Sequence, residues 1–438
     1  MKRTKRLLLA VACIGLLVAS WLTAVMAKSD ADKQRELIEQ AAAYTEDEIY
    51  ILAVPLLEEA AGYQDDYTLE AETALKKVYL ALEGKSNFSR RYKDLLDKQM
   101  GRADVAPEIF EEAAQYYLER GKTKEALSVL RNGAVKTGSD KLEQIYEDNR
   151  YVFTFSRDFY EEAAPIHAGM SQVSVGGRWG LASSSGLIVV PCEYDKISNF
   201  DGDRAVVMQD SQIFAVDMED NRVALLHTDA VDFGSYGDQR IALKTADGWI
   251  LSTGEFQTGS TVFEELGMFS DGCAPARLNG KWGLLKTNGV DWELEPQYDG
   301  IICDELGRCY NQKSVFVRKG GEVWLIVDGE ETAGPYEDAC PFNGGWAAVK
   351  QNGKWGFIDT TGTVQIDFQF AEARSFGEHL AAVCEAGQWG YVSLKGKMAI
   401  EPQFDEAWSF SGGSAPVKTN LGWQFITLTE SEGGGGLF

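Results

Sequence analysis

Histidine is nearly absent from this chain: three occur in 438 residues, at positions 167, 227 and 379. A histidine-based metal site, or a nucleophile with its base, needs side chains that converge, and three scattered histidines do not supply them. Other signatures of chemistry are missing too. There is no GxxxxGK[ST] phosphate loop, no GxGxxG behind a strand, no HExxH and no GxSxG. Carboxylates are plentiful, with 67 Asp and Glu, yet no spacing singles out a pair for hydrolysis. Asp201-Gly202-Asp203 and Glu219-Asp220 read as solvated turns, with weak calcium binding as the alternative. No catalytic residue, cofactor site or metal ligand is assigned from the sequence.

Basic charge is scarce. The 42 Lys and Arg leave a formal net charge of -25, and residues 1 to 27 hold Lys2, Arg3, Lys5 and Arg6 with no acid, so the remainder is more acidic still. Nucleic-acid binding needs a basic surface that releases counterions, so that class is set aside. Such a surface favours solubility or cationic partners. Cysteine is sparse. Beyond Cys13, the residues Cys192, Cys273, Cys303, Cys309, Cys340 and Cys384 fall at unrelated places in the repeat described below, against a repeated disulfide framework. Cys303 and Cys309 form a local bridge in an oxidising compartment or stay as two ordinary thiols; both readings stand.

The single long apolar run extends from Leu7 to Ala27 behind a basic start. As a helix it measures about 31 Å, close to the hydrocarbon thickness of a bilayer. Residues 1–28 are therefore expected to be a signal anchor, with membrane contact through residues 7–27 and the bulk of the chain extracytoplasmic. The alternative is secretion after cleavage at Val25-Met26-Ala27.

Residues 29–165 are rich in Ala, Glu, Leu and Lys and carry a helical pattern. In APEIFEEAAQYYLERGKTKEALSVLRNG, residues 106 to 133, Phe110, Ala114 and Tyr117 share a face, Gly121 breaks the helix, and Ala126 and Leu130 begin a second apolar face. This spacing resembles one tetratricopeptide repeat, which implies a helical hairpin and either a peptide-binding groove or a spacer. The pattern departs from that family at Thr137, where proline is usual, and the flanking helices match less well.

From residue 171 to about 430 the pattern changes to short alternating strands and glycine turns. Trp179, Trp249, Trp282, Trp324, Trp355, Trp389 and Trp423 stand 70, 33, 42, 31, 34 and 34 residues apart, and Phe214 bisects the first interval. These eight anchors define a repeat of about 34 residues. The long interval after Trp282 contains an extra ICDELGRCYNQK, residues 302 to 313. Each unit reads as a three-stranded meander; Asn-Gly before Lys-Trp-Gly marks a hairpin, and the tryptophan packs between sheets. The glycine after Trp is expected to leave room for an aromatic ring over the backbone.

GGRWGL, NGKWGL, NGKWGF and AGQWGY, followed by turns such as EYD, QYD and QFD, resemble the WG-repeat (KWG) family of bacterial proteins. The resemblance implies a β-rich repeat domain, often exported, without an established activity. The units at Phe214, Trp249, Trp324 and Trp423 lack the following glycine and depart from the pattern. The expected fold is thus an anchor, an α-helical segment, and an all-β domain of seven to eight units over 171–430. That domain closes as a β-propeller or stacks as an open solenoid. Residues 431–438, SEGGGGLF, read as a flexible tail.

One position varies while its flanks repeat. Four residues after each turn aromatic stand Ser198, Gly267, Cys340, Arg374 and Trp408. This variation suggests an exposed rim for a partner, with Trp408 as its strongest candidate. The function expected is non-catalytic binding of a protein or envelope component, with an envelope carbohydrate hydrolase or a structural spacer as alternatives.

Overall fold

A computed structural model describes residues 29–63, 66–225, 229–253 and 257–429. The expected anchor, the tail and His227 lie outside these residues. Among the described residues no helix is long and apolar enough to cross a membrane. The chain divides into two compact units, Met1–Tyr146 and Glu147–Phe438.

The first unit consists of seven helices among the described residues, from Asp30–Glu46 to Asp140–Asn149. Ser29 opens the first with a capping box, its hydroxyl accepting from the Asp32 N–H at 3.1 Å. Helices Pro107–Leu118 and Thr123–Thr137 form the hairpin expected from the sequence, and Phe110, Ala114, Ala126 and Leu130 are buried. Gly133 is required for this packing, because a Cβ there would stand 2.5 Å from the Phe110 ring. The apolar core is crossed by satisfied polar links. Glu72 is fully buried and accepts from Gln99 Nε2 at 2.8 Å and Arg102 at 2.6 Å.

The second unit is an eight-bladed β-propeller. Each of its eight sheets has four antiparallel strands in chain order, except the last. Blade 1 runs through Glu162–Ala163, Met170–Val175, Arg178–Ser183 and Ile188–Tyr194, and blades 2 to 7 repeat this plan. Blade 8 takes three strands from residues 406–428 and its fourth, Phe153–Phe155, from the beginning of the unit. Phe153 pairs with Leu428 and Phe155 with Ile426; Ser156 N–H then donates to Phe425 O at 2.7 Å.

Alternation along each strand sends successive side chains to opposite neighbours. In blade 7, Leu380, Ala382 and Cys384 face blade 8, whereas Ala381 and Val383 face blade 6. Eight separate apolar clusters result, one for each pair of adjacent blades. The cluster that joins blade 8 to blade 1 contains Trp423 and Phe425 together with Tyr160, Ala163 and Val173. The ring is therefore closed, and the solenoid alternative is excluded.

The repeated motif now has a physical account. Asn279-Gly280 and Asn352-Gly353 both have positive φ at their two turn residues, as a tight type I′ hairpin requires. The acid after the turn aromatic caps that hairpin. Glu161 accepts from Gly177 N–H at 2.9 Å, Asp299 from Gly320 N–H at 2.8 Å and Glu337 from Gly353 N–H at 3.0 Å. The basic residue before Trp reaches the acid of the next blade: Lys281 Nζ lies 2.7 Å from Asp299, and Arg178 pairs with Asp195.

Several expectations are corrected. The fourth strand bulges opposite Trp-Gly, so the space above the glycine is filled by backbone and not by an aromatic ring. A Cβ on Gly180 would meet Val190 O at 2.4 Å, and one on Gly390 would meet Ile400 O at 2.5 Å. In blade 5 the glycine has moved to the bulging strand, as Gly334, close to Val323 O and the Trp324 ring. The helix-to-strand boundary lies between Asn149 and Phe153, so the closing strand falls inside the stretch read as helical. Each unit has a fourth strand, its first, missed because it is only two residues long in most blades.

Six of the anchors occupy the second position of a third strand. Phe214 and Trp324 do not; Ile213 and Val323 hold that position, opposite Met208 and Arg318. A one-residue offset reverses the face. Phe214 accordingly joins the cluster toward blade 1, and Trp324 the cluster toward blade 4.

Gly390→Ala is expected to destabilise the propeller by about 1–3 kcal/mol, since backbone cannot yield to the added methyl. Gly234→Ala, whose methyl would find Ala242 Cβ at 3.6 Å, is expected to change stability by less than about 0.5 kcal/mol. Equal urea midpoints for the two variants would remove the strand-contact explanation. The acid caps predict a pH dependence as well. Hydrogen bonds from Lys281 and the Gly320 N–H hold the Asp299 carboxyl below its ordinary value. Its stabilisation is complete above the unfolded carboxylate range and is lost as pH falls below about 4. The urea midpoint of Asp299→Asn should fall less steeply with acid than that of the unaltered chain.

Candidate binding site at the ring axis

The varied position four residues beyond the turn aromatic continues the first strand of each blade. Ser198, Gly267, Cys340, Arg374 and Trp408 each donate their N–H to a second-strand carbonyl at 2.8–2.9 Å. Ala164 and Ile302 do the same in blades 1 and 5. None of the five expected rim residues is exposed, which corrects the expectation of an outer loop. Ser198 is buried, its hydroxyl donating to Asn199 O and accepting from Val206 N–H. Gly267 has no room for a side chain, since a Cβ would stand 2.5 Å from the Pro275 ring.

Cys340, Arg374 and Trp408 do come together. With Pro165, Ser270 and the inserted loop of blade 5 they line a cavity of about 110 Å3. Because its walls come from blades 1, 4, 5, 6, 7 and 8, it lies at the ring axis. Its volume admits a few waters or one small chemical group.

Trp408 is part of the ring closure. Its Nε1–H donates to Ala163 O at 2.7 Å, its ring stacks on Trp423 with centroids 5.7 Å apart, and Arg374 lies 3.7 Å above its other face. Arg374 pairs with Glu406 at 3.1 Å and with Glu305 of the inserted loop, which spans from blade 5 to blade 7. The Arg374 Nε is buried with no hydrogen-bond partner among the described residues. Serine side chains tie neighbouring blades around the cavity: Ser409 Oγ donates to Ser375 O at 2.7 Å, and Ser375 Oγ donates to Pro341 O.

The inserted loop is the part of the site that the repeat pattern misjudged. ICDELGRCYNQK explained an irregular interval, yet it supplies Cys303, Asp304, Glu305, Arg308, Cys309, Tyr310 and Asn311 to the wall. Asn311 and Asn343 also line it, and their side-chain amides make no hydrogen bond among the described residues. Burial pushes the Cys340 thiol up to about 12, with the Glu305 carboxylate adding to the effect, so this sulfur is protonated at neutral pH. Burial also lowers the His167 imidazole, with the Arg308 charge acting in the same direction.

The suggested cation turns have protein partners. Asp201 accepts from the Gln239 N–H of blade 3 at 2.8 Å, Asp203 pairs with Arg204 at 2.7 Å, and Asp220 of the second turn accepts from the Tyr194 hydroxyl. Equivalent bonds run from Gly272 N–H to Asp238 and from Gln312 N–H to Asp271, both at 2.8 Å. Among the described residues no cluster of His, Cys, Asp and Glu is arranged to hold a metal ion.

Five stretches of the chain match the WG containing repeat. They are residues 179–212, 261–282, 336–355, 355–389 and 389–423. The matches fall between blade 1 and blade 8 and leave residues 213–260 and 283–335 unmatched, the stretches that hold Phe214, Trp249 and Trp324, anchors without the following glycine. No curated protein matches the sequence. Among solved structures, PorZ, a surface component of the type-IX secretion system of Porphyromonas gingivalis, is 11% identical with a TM-score of 0.33; the alignment covers 61% of this chain and 42% of PorZ. YCF48 bound to D1 peptide is 12% identical, with coverages of 63% and 99% and a TM-score of 0.32. The Pan2 WD40 domain of Neurospora crassa is 9% identical, with coverages of 65% and 89% and a TM-score of 0.31. At these scores the propeller assignment rests on strand order alone.

Trp408→Phe keeps an aromatic ring, smaller than the indole, and removes the donor to Ala163 O. It should destabilise the propeller by about 1–3 kcal/mol through the unpaired carbonyl. An unchanged denaturation midpoint would show that the closing bond carries no weight.

Proposed function

We propose that this chain is an exported, membrane-anchored WG-repeat protein with a tetratricopeptide-like helical segment. Its propeller binds a protein or envelope component without turnover. The observation that carries the reading is the axial cavity, where a repeated framework holds residues that differ from blade to blade. Repeat scaffolds vary such positions to recognise a partner while the frame stays fixed. The unpaired Asn311 and Asn343 amides suit a partner that offers peptide or hydroxyl groups. The acidic surface favours a cationic approach.

The anchor is tested separately from the site. In cells expressing the full chain, protease added outside should degrade the propeller, and alkaline carbonate should leave the chain in the membrane fraction. Release by carbonate with an N-terminus after Ala27 would replace the anchor with a cleaved signal. Protection from protease would overturn export.

For the site, immobilised full-length chain is incubated with envelope extract, and recovery is compared with that of the double variant Asn311→Ala, Asn343→Ala. Loss of two hydrogen-bonding groups should weaken capture by about tenfold or more, with unchanged circular dichroism. Equal recovery by both chains would sink the axial site.

A further inference from the structure

Blade 5 carries extra residues between its first and second strands, and their tip is a defined hairpin. Asp304 N–H donates to Arg308 O at 2.8 Å and Gly307 N–H to Asp304 O at 2.9 Å, with Gly307 at φ 89°. This is a three-residue hairpin loop, a type I turn followed by a left-handed glycine. The Asp304 carboxylate fixes the tip by accepting from Leu306 N–H at 3.0 Å, Arg308 N–H at 2.9 Å and Arg308 Nε at 2.6 Å.

Asp304 and Arg308 are therefore the closing hydrogen-bonded pair, and Cys303 and Cys309 flank it on the two arms of the hairpin. Residues that face each other in this position of a hairpin have Cα atoms about 4.5–5.5 Å apart. Disulfides form at Cα separations of about 4.4–6.8 Å, so the backbone needs no rearrangement. Both residues have free thiols: Cys303 is exposed, Cys309 is buried, and the Cys303 thiol stands beside that of Cys309.

We propose that Cys303 and Cys309 are a reversible disulfide site that clasps the tip of the inserted loop. The oxidant is a small or protein disulfide. The Cys303 thiolate attacks one sulfur of that disulfide and expels the other as a thiol, leaving a mixed disulfide on Cys303. Cys309 then attacks the Cys303 sulfur and releases the second thiol. One protein S–S bond forms, one reagent S–S bond breaks, and two electrons pass to the reagent, whose two thiols take up the two protons. Exposure makes Cys303 the entry point; burial keeps Cys309 for the second step. The clasp fixes the segment that carries Glu305 to Arg374, and so one wall of the axial cavity.

The test uses the full chain, fully reduced and then incubated with oxidised glutathione. It is denatured in N-ethylmaleimide and digested without reductant. The expected result is that the peptide holding both residues loses both alkylation sites, is lighter by two hydrogen atoms, and regains both sites after dithiothreitol. Cys303→Ser should leave Cys309 fully alkylated. Alkylation of both residues in the oxidised sample, a glutathione adduct on Cys303 alone, or a bridge from either residue to Cys340 or Cys273 would each overturn the proposal. The unaltered chain decides between these outcomes even if the variant misfolds.

Discussion

Each four-stranded sheet of the ring is apolar on both faces, so every blade needs two neighbours. Strand alternation imposes this, since successive side chains of one strand enter two different inter-blade clusters. Seven such interfaces follow from chain order. The eighth requires that the two ends of the unit meet, which the Phe153–Phe155 strand accomplishes by completing blade 8. Without it, the cluster around Trp423, Phe425 and Tyr160 would face water, and burial of a large side chain is worth about 1.5–3 kcal/mol.

The polar elements of the motif serve this same packing. Acid caps hold the hairpins, basic residues before Trp link an acid of the next blade, and aspartates such as Asp201 and Asp238 accept from the following turn. Part of the chain's acidity is thus engaged in bonds to backbone N–H groups, which carry no compensating charge. Where a blade departs from the motif, the geometry is preserved by another route. Gly334 takes over in blade 5 what Gly283 does in blade 4, leaving space where third and fourth strands come closest.

The axial cavity depends on broken symmetry. Eight identical blades would give a symmetric channel. Here the insertion of blade 5 crosses to Arg374 of blade 7, and Trp408 is held between Arg374 and Trp423. Trp408, which the sequence pattern places on an exposed rim, is a wedge in the ring's last joint. The rest of the lining is smaller and less conspicuous, with Asn311, Asn343 and Cys340 among it.

The sequence by itself determined the repeat, its length of about 34 residues, the hairpin turns and the β-rich class, because side-chain period and turn chemistry are local properties. It also marked the helical hairpin around Phe110 and Leu130. It did not determine the two-residue first strands, which are too short to show a period, or the closing strand at 153–155, which has meaning only beside a partner some 270 residues away. The tertiary structure alone decided which way Phe214 and Trp324 point, since a one-residue offset is invisible in composition but reverses the face. It also decided that the varied positions converge at the axis: sequence shows that a position differs between units, and only ring closure brings those differences into one wall.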